Sequence, residues 1–300
     1  MDKFLRACVA LVLILFGPLL AACSRGGSES PQAANQTTLQ KAIAEKKIRV
    51  GYANEAPYAY QESGSGKLTG EAPEIARVVL SRMGVTQVEG VLTEFGALIP
   101  GLRAGRFDII AAGMYILPER CSQISFSNPT YGVGEAFAVR AGNPLSLHGF
   151  ADVVAHPAAK LGVVSGAVEL NYARELGVRT EQIMIFPDTP SALEGVGSGR
   201  VDAYAGTRPT IASLLRKNSA GLENAAPFEN PVINGKKVRG YGAFGFRKED
   251  QDLVDAFNAQ LKTFVGSSEH LNLVRNFGFD ERDMPGPVGA DELCRGTAGS

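Results

Sequence analysis

The chain has almost no net charge. Lys and Arg number 30 and Asp and Glu 31, a formal charge of −1 at neutral pH. That balance gives no general attraction to nucleic acid or to anionic lipid, and there is no basic run or nucleic-acid-reading motif. Histidine is scarce. His148, His156 and His270 stand singly, so no metal-ligand spacing forms and neither a metal nor another cofactor is expected. A Gly-x-Ser-x-Gly elbow is absent. Gly64-Ser-Gly-Lys67 is not a phosphate loop, because its spacing is wrong and no Lys-Ser/Thr helix start follows. It reads as a hairpin turn.

Long apolar runs are also lacking. Residues 7–20 are apolar but short for a membrane span, and they follow Lys3 and Arg6. Residues 1–22 therefore read as a signal peptide. Leu20-Ala-Ala-Cys23 resembles the bacterial lipoprotein box, which implies cleavage before Cys23, lipidation there and an extracytoplasmic protein held to a membrane by lipid alone. Residues 23–39 are rich in Ser, Gly, Gln, Asn and Ala. They cannot bury a core and read as a flexible tether. Of the four cysteines, Cys8 leaves with the signal and Cys23 is lipidated, so Cys121 and Cys294 remain. In an exported protein such a pair favours a disulfide, with two free thiols as the alternative.

Three hundred residues with 45% apolar content are enough for two modest domains. The first half alternates strand and helix. Strands are expected over 47–53, 88–93 and 107–112, the last ended by Gly113, with helices over 71–83 and 96–104. This order gives a parallel sheet covered by helices, an α/β class. Three strand ends then bring Glu55 with Tyr58, Phe95, and Tyr115 with Arg120 to one sheet edge, where open α/β sheets bind ligands. Arg120 presents a planar fork suited to a carboxylate. Aromatic faces suit a delocalised cation, and Glu55 would neutralise it. The ligand so described is a small zwitterion.

A strand over 135–140 leads out of this lobe into a second βα series. Strands are expected there over 160–164, 182–186 and 199–205, with helices over 170–176, 191–197 and 209–217. A strand over 240–247 returns, and helices over 250–264 and 268–276 close the chain. The expected lobes are residues 40–139 with 241–300, and residues 140–240.

Pro118-Glu-Arg120, then Phe126-Ser-Asn-Pro129 and Tyr131, resemble the signature of the bacterial extracellular solute-binding proteins, family 3. These are receptors of ABC importers for polar amino acids. The resemblance implies a type II periplasmic-binding fold: two lobes, each a mostly parallel sheet flanked by helices, joined by a two-strand hinge that closes on a ligand. It implies that Arg120 holds the ligand's carboxylate and that backbone N–H groups at Ser165-Gly166 assist. Many members carry Thr near Val168, so contact there is expected from backbone alone. Thr207 stands where amino-acid receptors usually place an Asp for the ligand's ammonium. Without that Asp an α-amino acid is poorly neutralised.

Asn54-Glu-Ala-Pro-Tyr58, Glu94-Phe-Gly-Ala97 and Gly113-Met-Tyr-Ile-Leu-Pro-Glu-Arg-Cys121 are similar to the ectoine- and hydroxyectoine-binding members. By that resemblance Glu55 meets the ring nitrogens, and Tyr58, Phe95 and Tyr115 form the cage. Two of these cage positions are Tyr where Phe is common. The expected protein is a monomeric binding protein, not an enzyme, working with a permease. The alternatives are a polar amino-acid receptor, a periplasmic cyclohexadienyl-dehydratase-like enzyme in which Glu55 does acid chemistry, and a structural lipoprotein.

Overall fold

The computed structural model describes residues 36–217 and 220–296. The expected signal peptide, the lipidated Cys23 and most of the tether lie outside the described residues. The tether ends sooner than residue 39. Thr37 caps the helix Thr38–Glu45, and its hydroxyl accepts from the Gln40 N–H while the Gln40 side chain accepts from the Thr37 N–H.

The first lobe is built on a sheet with the strand order Gln87–Leu92, Lys47–Tyr52, Ile109–Tyr115, Gly240–Phe246 and Ser125–Phe126, with Tyr131–Val133 also pairing with Gly240–Phe246. The first three strands run parallel. The returning strand Gly240–Phe246 is antiparallel to its neighbours. Side chains alternate across the sheet as the pleat requires. Ile109 and Ala111 pack with Ile75 and Val79 of the helix Glu71–Arg82. Ile110, Ala112 and Met114 pack on the other face with Leu98 and Leu102 of the helix Leu98–Arg103.

The second lobe has the order Ile183–Phe186, Leu161–Val164, Ala203–Thr207, Glu135–Arg140 and Leu222–Asn224. Its first three strands are parallel, and Glu135–Arg140 is antiparallel to both neighbours. Residues 135–139 were expected with the first lobe, yet Glu135 stands opposite Thr207 in the second sheet. Tyr131–Val133 still pairs with the returning strand of the first sheet, so the chain changes sheets at Gly134.

Two further boundaries differ from expectation and matter for the site. Gly113 does not end its strand, which runs on to Tyr115. Gly113 has φ +68°, and a Cβ there would lie 2.5 Å from the Tyr58 ring. Glycine keeps the strand continuous while an aromatic ring packs against its backbone. The strand expected over 199–205 is displaced to Ala203–Thr207, so Thr207 is the last strand residue.

Cys121 and Cys294 are joined, which ties the C-terminal helix Ala290–Cys294 to the turn that carries Arg120.

Candidate functional site

Carboxyl ends of strands from both sheets meet across one small, nearly filled cavity of about 30 Å³, well below the size of an open ligand pocket. It is lined by Glu55, Tyr58, Phe95, Gly113, Tyr115 and Arg120 from the first lobe, and by Ala167, Val168, Glu169 and Thr207 from the second. The residues expected to converge therefore do so, with the exception of Gly166, which sits beside the cavity and bonds to Arg120.

Arg120 lies in the short helix Pro118–Cys121, with Pro118 at its first turn. Its guanidinium is buried and bridges the lobes. Nη1 donates to the Tyr115 carbonyl at 3.0 Å and Nη2 to the Gly166 carbonyl at 2.9 Å. The charge also lies 5.6 Å from the centroid of the Phe95 ring. Among the described residues no carboxylate forms an ion pair with Arg120. Burial lowers its pKa, as expected for a cation held in a dry place without a close anion. Such a group is poised to take a carboxylate.

At Ser165 the structure differs from expectation. The Ser165 N–H donates to the Phe186 carbonyl at 2.9 Å and is not free for a ligand. Gly166 turns its carbonyl to Arg120. Gly166 has φ +76°, and a Cβ there would lie 2.6 Å from Gly96 Cα across the cleft. The close approach of these two glycines lets the lobes meet. Val168 lines the cavity, and its carbonyl is taken by the N–H groups of Asn171 and Tyr172.

Thr207 is part of a hydroxyl relay between the lobes. Tyr58 Oη donates to Thr207 Oγ1 at 2.9 Å, Thr207 donates to Thr210 Oγ1 at 3.0 Å, and Thr210 donates to Glu55 Oε1 at 2.7 Å. Both ends of this relay lie in the first lobe and its middle lies in the second, so it forms when the cleft is closed. Desolvation raises the Glu55 carboxyl from 4.5 to about 7; the Thr210 bond opposes the rise and the charge of Glu169 adds to it. Tyr58 is held from behind by Tyr131 and Phe279, with ring centroids 5.2 and 5.7 Å away.

Three polar residues of the site were not singled out from sequence. Thr210 stands three residues after Thr207, the spacing at which a helix start brings hydroxyls together. Glu169 opens the helix Glu169–Glu175, where an acid is ordinarily read as a partner of the helix dipole. Glu135 begins a strand whose next four residues are apolar. A lone charge in such a run is the available signal, because a buried carboxyl is costly unless something requires it.

The family pattern of the bacterial extracellular solute-binding proteins, family 3, matches residues 48–279. The chain belongs to that family, whose members bind small ligands outside the cytoplasm and deliver them to ABC transporter permeases. It is 39% identical over 252 residues to a probable amino-acid ABC transporter periplasmic-binding protein of Sinorhizobium fredii, covering 83% of each chain. It is 27% identical over 240 residues to an L-arginine-binding protein of Pseudomonas aeruginosa, covering 79% of this chain and 90% of that one. Among solved structures it is similar to EhuB in complex with hydroxyectoine, at TM-score 0.78 and 34% identity over 86% of this chain and 97% of that one.

Proposed function

We propose that this solute-binding protein captures a small zwitterionic compatible solute of the ectoine class. The observation that carries this reading is the arrangement of charge in one cavity: Arg120 without a carboxylate partner, Glu55 on a hydroxyl relay, and Tyr58, Phe95 and Tyr115 in the same walls. A cyclic amidinium carboxylate places an anion on Arg120, a delocalised cation on Glu55 and an apolar ring between aromatic faces. Thr207, where an amino-acid receptor would place an Asp, instead supports Glu55 through Thr210. The likeness to EhuB supports the same ligand class. Lipidation of Cys23 would hold the receptor at the membrane, the lobes would close about Gly134 and the return crossing, and the receptor would act as a monomer that binds without turnover.

The test is a thermal-shift panel on the mature protein with ectoine, hydroxyectoine, glycine betaine, proline, glutamine, arginine and arogenate. The ectoines are expected to raise apparent stability by about 2.7 kcal/mol at a hundredfold excess over Kd. A shift with glutamine or arginine and none with the ectoines refutes the ligand class. Conversion of arogenate refutes the binding-only role and revives acid chemistry at Glu55.

A further inference from the structure

Beside the groups assigned above lies a polar corner that they do not use. Glu135 opens the strand Glu135–Arg140 directly after the crossing at Gly134 and is 3% exposed. Its N–H donates to Asn230 Oδ1 at 2.7 Å, so its backbone is held. Both of its carboxyl oxygens lack a hydrogen-bond partner. Tyr115 reaches the same corner from the other lobe, and its hydroxyl is also buried without a partner. The two are close enough for the phenol to favour the charged form of Glu135, while Glu169 disfavours it. Glu169 and Tyr115 both line the cavity, which gives the corner an opening to the ligand.

Native proteins leave few buried polar atoms unpaired, and each calls for a reason. Here a phenol and a carboxyl from opposite lobes come within reach of one another without forming a hydrogen bond of good geometry. Burial first, and then the charge of Glu169, raise the Glu135 carboxyl well above its ordinary range, and burial raises the Glu169 carboxyl as well. The corner therefore offers O–H donors from Tyr115 and Glu135 and acceptor oxygens from Glu135 and Glu169. An ammonium could use the acceptors but could not accept from the donors. A carboxylate would meet the charge of Glu169. A hydroxyl both donates and accepts, and so satisfies both kinds of orphan at once.

We propose that Tyr115, Glu135 and Glu169 form a hydroxyl-recognising subsite in the wall of the cleft, so that the receptor prefers a hydroxylated solute to its unhydroxylated parent. This rests on the ligand class proposed above, with Arg120 and Glu55 setting the orientation. Tyr115 then has two uses: its ring face packs on the ligand ring, and its hydroxyl reads the substituent.

The test is isothermal calorimetry of the mature protein with hydroxyectoine and ectoine, repeated with Tyr115→Phe and Glu135→Leu. The wild type is expected to bind hydroxyectoine about tenfold more tightly, the worth of one well-made hydrogen bond in a dry site. Each variant is expected to bring the ratio of the two Kd values close to one. Glu135→Leu removes orphaned oxygens, so it should fold with a raised melting temperature, and either variant alone suffices to read the ratio. A wild-type ratio near one overturns the subsite. So does a tenfold ratio that survives both substitutions, or loss of both ligands together in a variant whose melting curve shows it folded. Binding of neither ligand by the wild type overturns the ligand class along with the subsite, and this is how the two failures are told apart.

Discussion

Asp108 stands just before the strand Ile109–Tyr115, and Arg120 stands just after it. Asp108 is clasped by Arg49, whose Nε and Nη2 donate to its two oxygens at 3.1 and 2.9 Å. Arg247 reaches the same carboxylate at 3.3 Å and Asp250 at 2.7 Å, and donates to the Phe107 carbonyl at 2.8 Å. At that end of the sheet each of these charges meets an opposite one, although Asp250 Oδ2 faces Arg247 without a well-formed hydrogen bond. At the other end, among the described residues, Arg120 hydrogen-bonds to carbonyls alone, and neither oxygen of Glu135 has a well-formed hydrogen bond. An unmatched buried charge and a buried carboxyl without a bond are both expensive. A chain that pairs its polar groups at one end of a strand and leaves them open at the other has given the second end a task other than holding the fold.

The largest effect that could break this comparison comes from a pair of substitutions. Arg120→Ala is expected to weaken ligand binding by at least about a hundredfold, because it removes the partner of a desolvated carboxylate, with a small change in melting temperature. Arg247→Ala is expected to do the reverse. It should cost about 3 kcal/mol of stability by leaving Asp108 and Asp250 poorly paired, with Kd little changed once the protein is folded. Calorimetry beside thermal melts reads both. The same behaviour from the two variants would remove the distinction between the ends.

Reduction of the Cys121–Cys294 bridge is expected to cost about 2–4 kcal/mol, chiefly by freeing the unfolded chain. Because the bridge anchors the turn that carries Arg120, affinity should also fall. A reduced protein with an unchanged melting temperature would show that the bridge contributes nothing to stability.

The smallest step is expected with pH, about tenfold in affinity for each unit. In the ligand-free closed cleft Glu55 titrates at about 7, against an ordinary 4.5. The folded protein therefore holds a proton that the unfolded chain has released, and Glu55's contribution to stability declines as pH rises from about 4.5 to about 7. A cationic ligand needs Glu55 ionised. Affinity should thus weaken by about tenfold per pH unit below about 7 and level off above it. A flat profile from pH 5 to 8 would show that Glu55 does not meet the ligand's cation.

Much of the first lobe's wall was legible in the sequence. Glu55, Tyr58, Phe95, Tyr115 and Arg120 each follow or end a strand of strong apolar pattern, and an open α/β sheet gathers such positions at one edge. The second lobe's wall was less legible. Thr207 reads as an absence, the missing Asp, and its bond to Tyr58, like that of Thr210 to Glu55, crosses between segments far apart in sequence. Gly113 reads as a strand end because glycine usually interrupts strands, yet here it accommodates the Tyr58 ring from another segment.

The sequence by itself determined the alternation of strands and helices, the arginine and aromatic set, and the two cysteines left to pair, because these follow from local periodicity, side-chain chemistry and cellular compartment. The tertiary structure alone decided which sheet Glu135 joins, which lobe completes Glu55's hydrogen bonds, and which buried oxygens are left without partners. Those depend on how two sheets close on each other, and a contact between residues more than a hundred positions apart leaves no periodic trace in the chain.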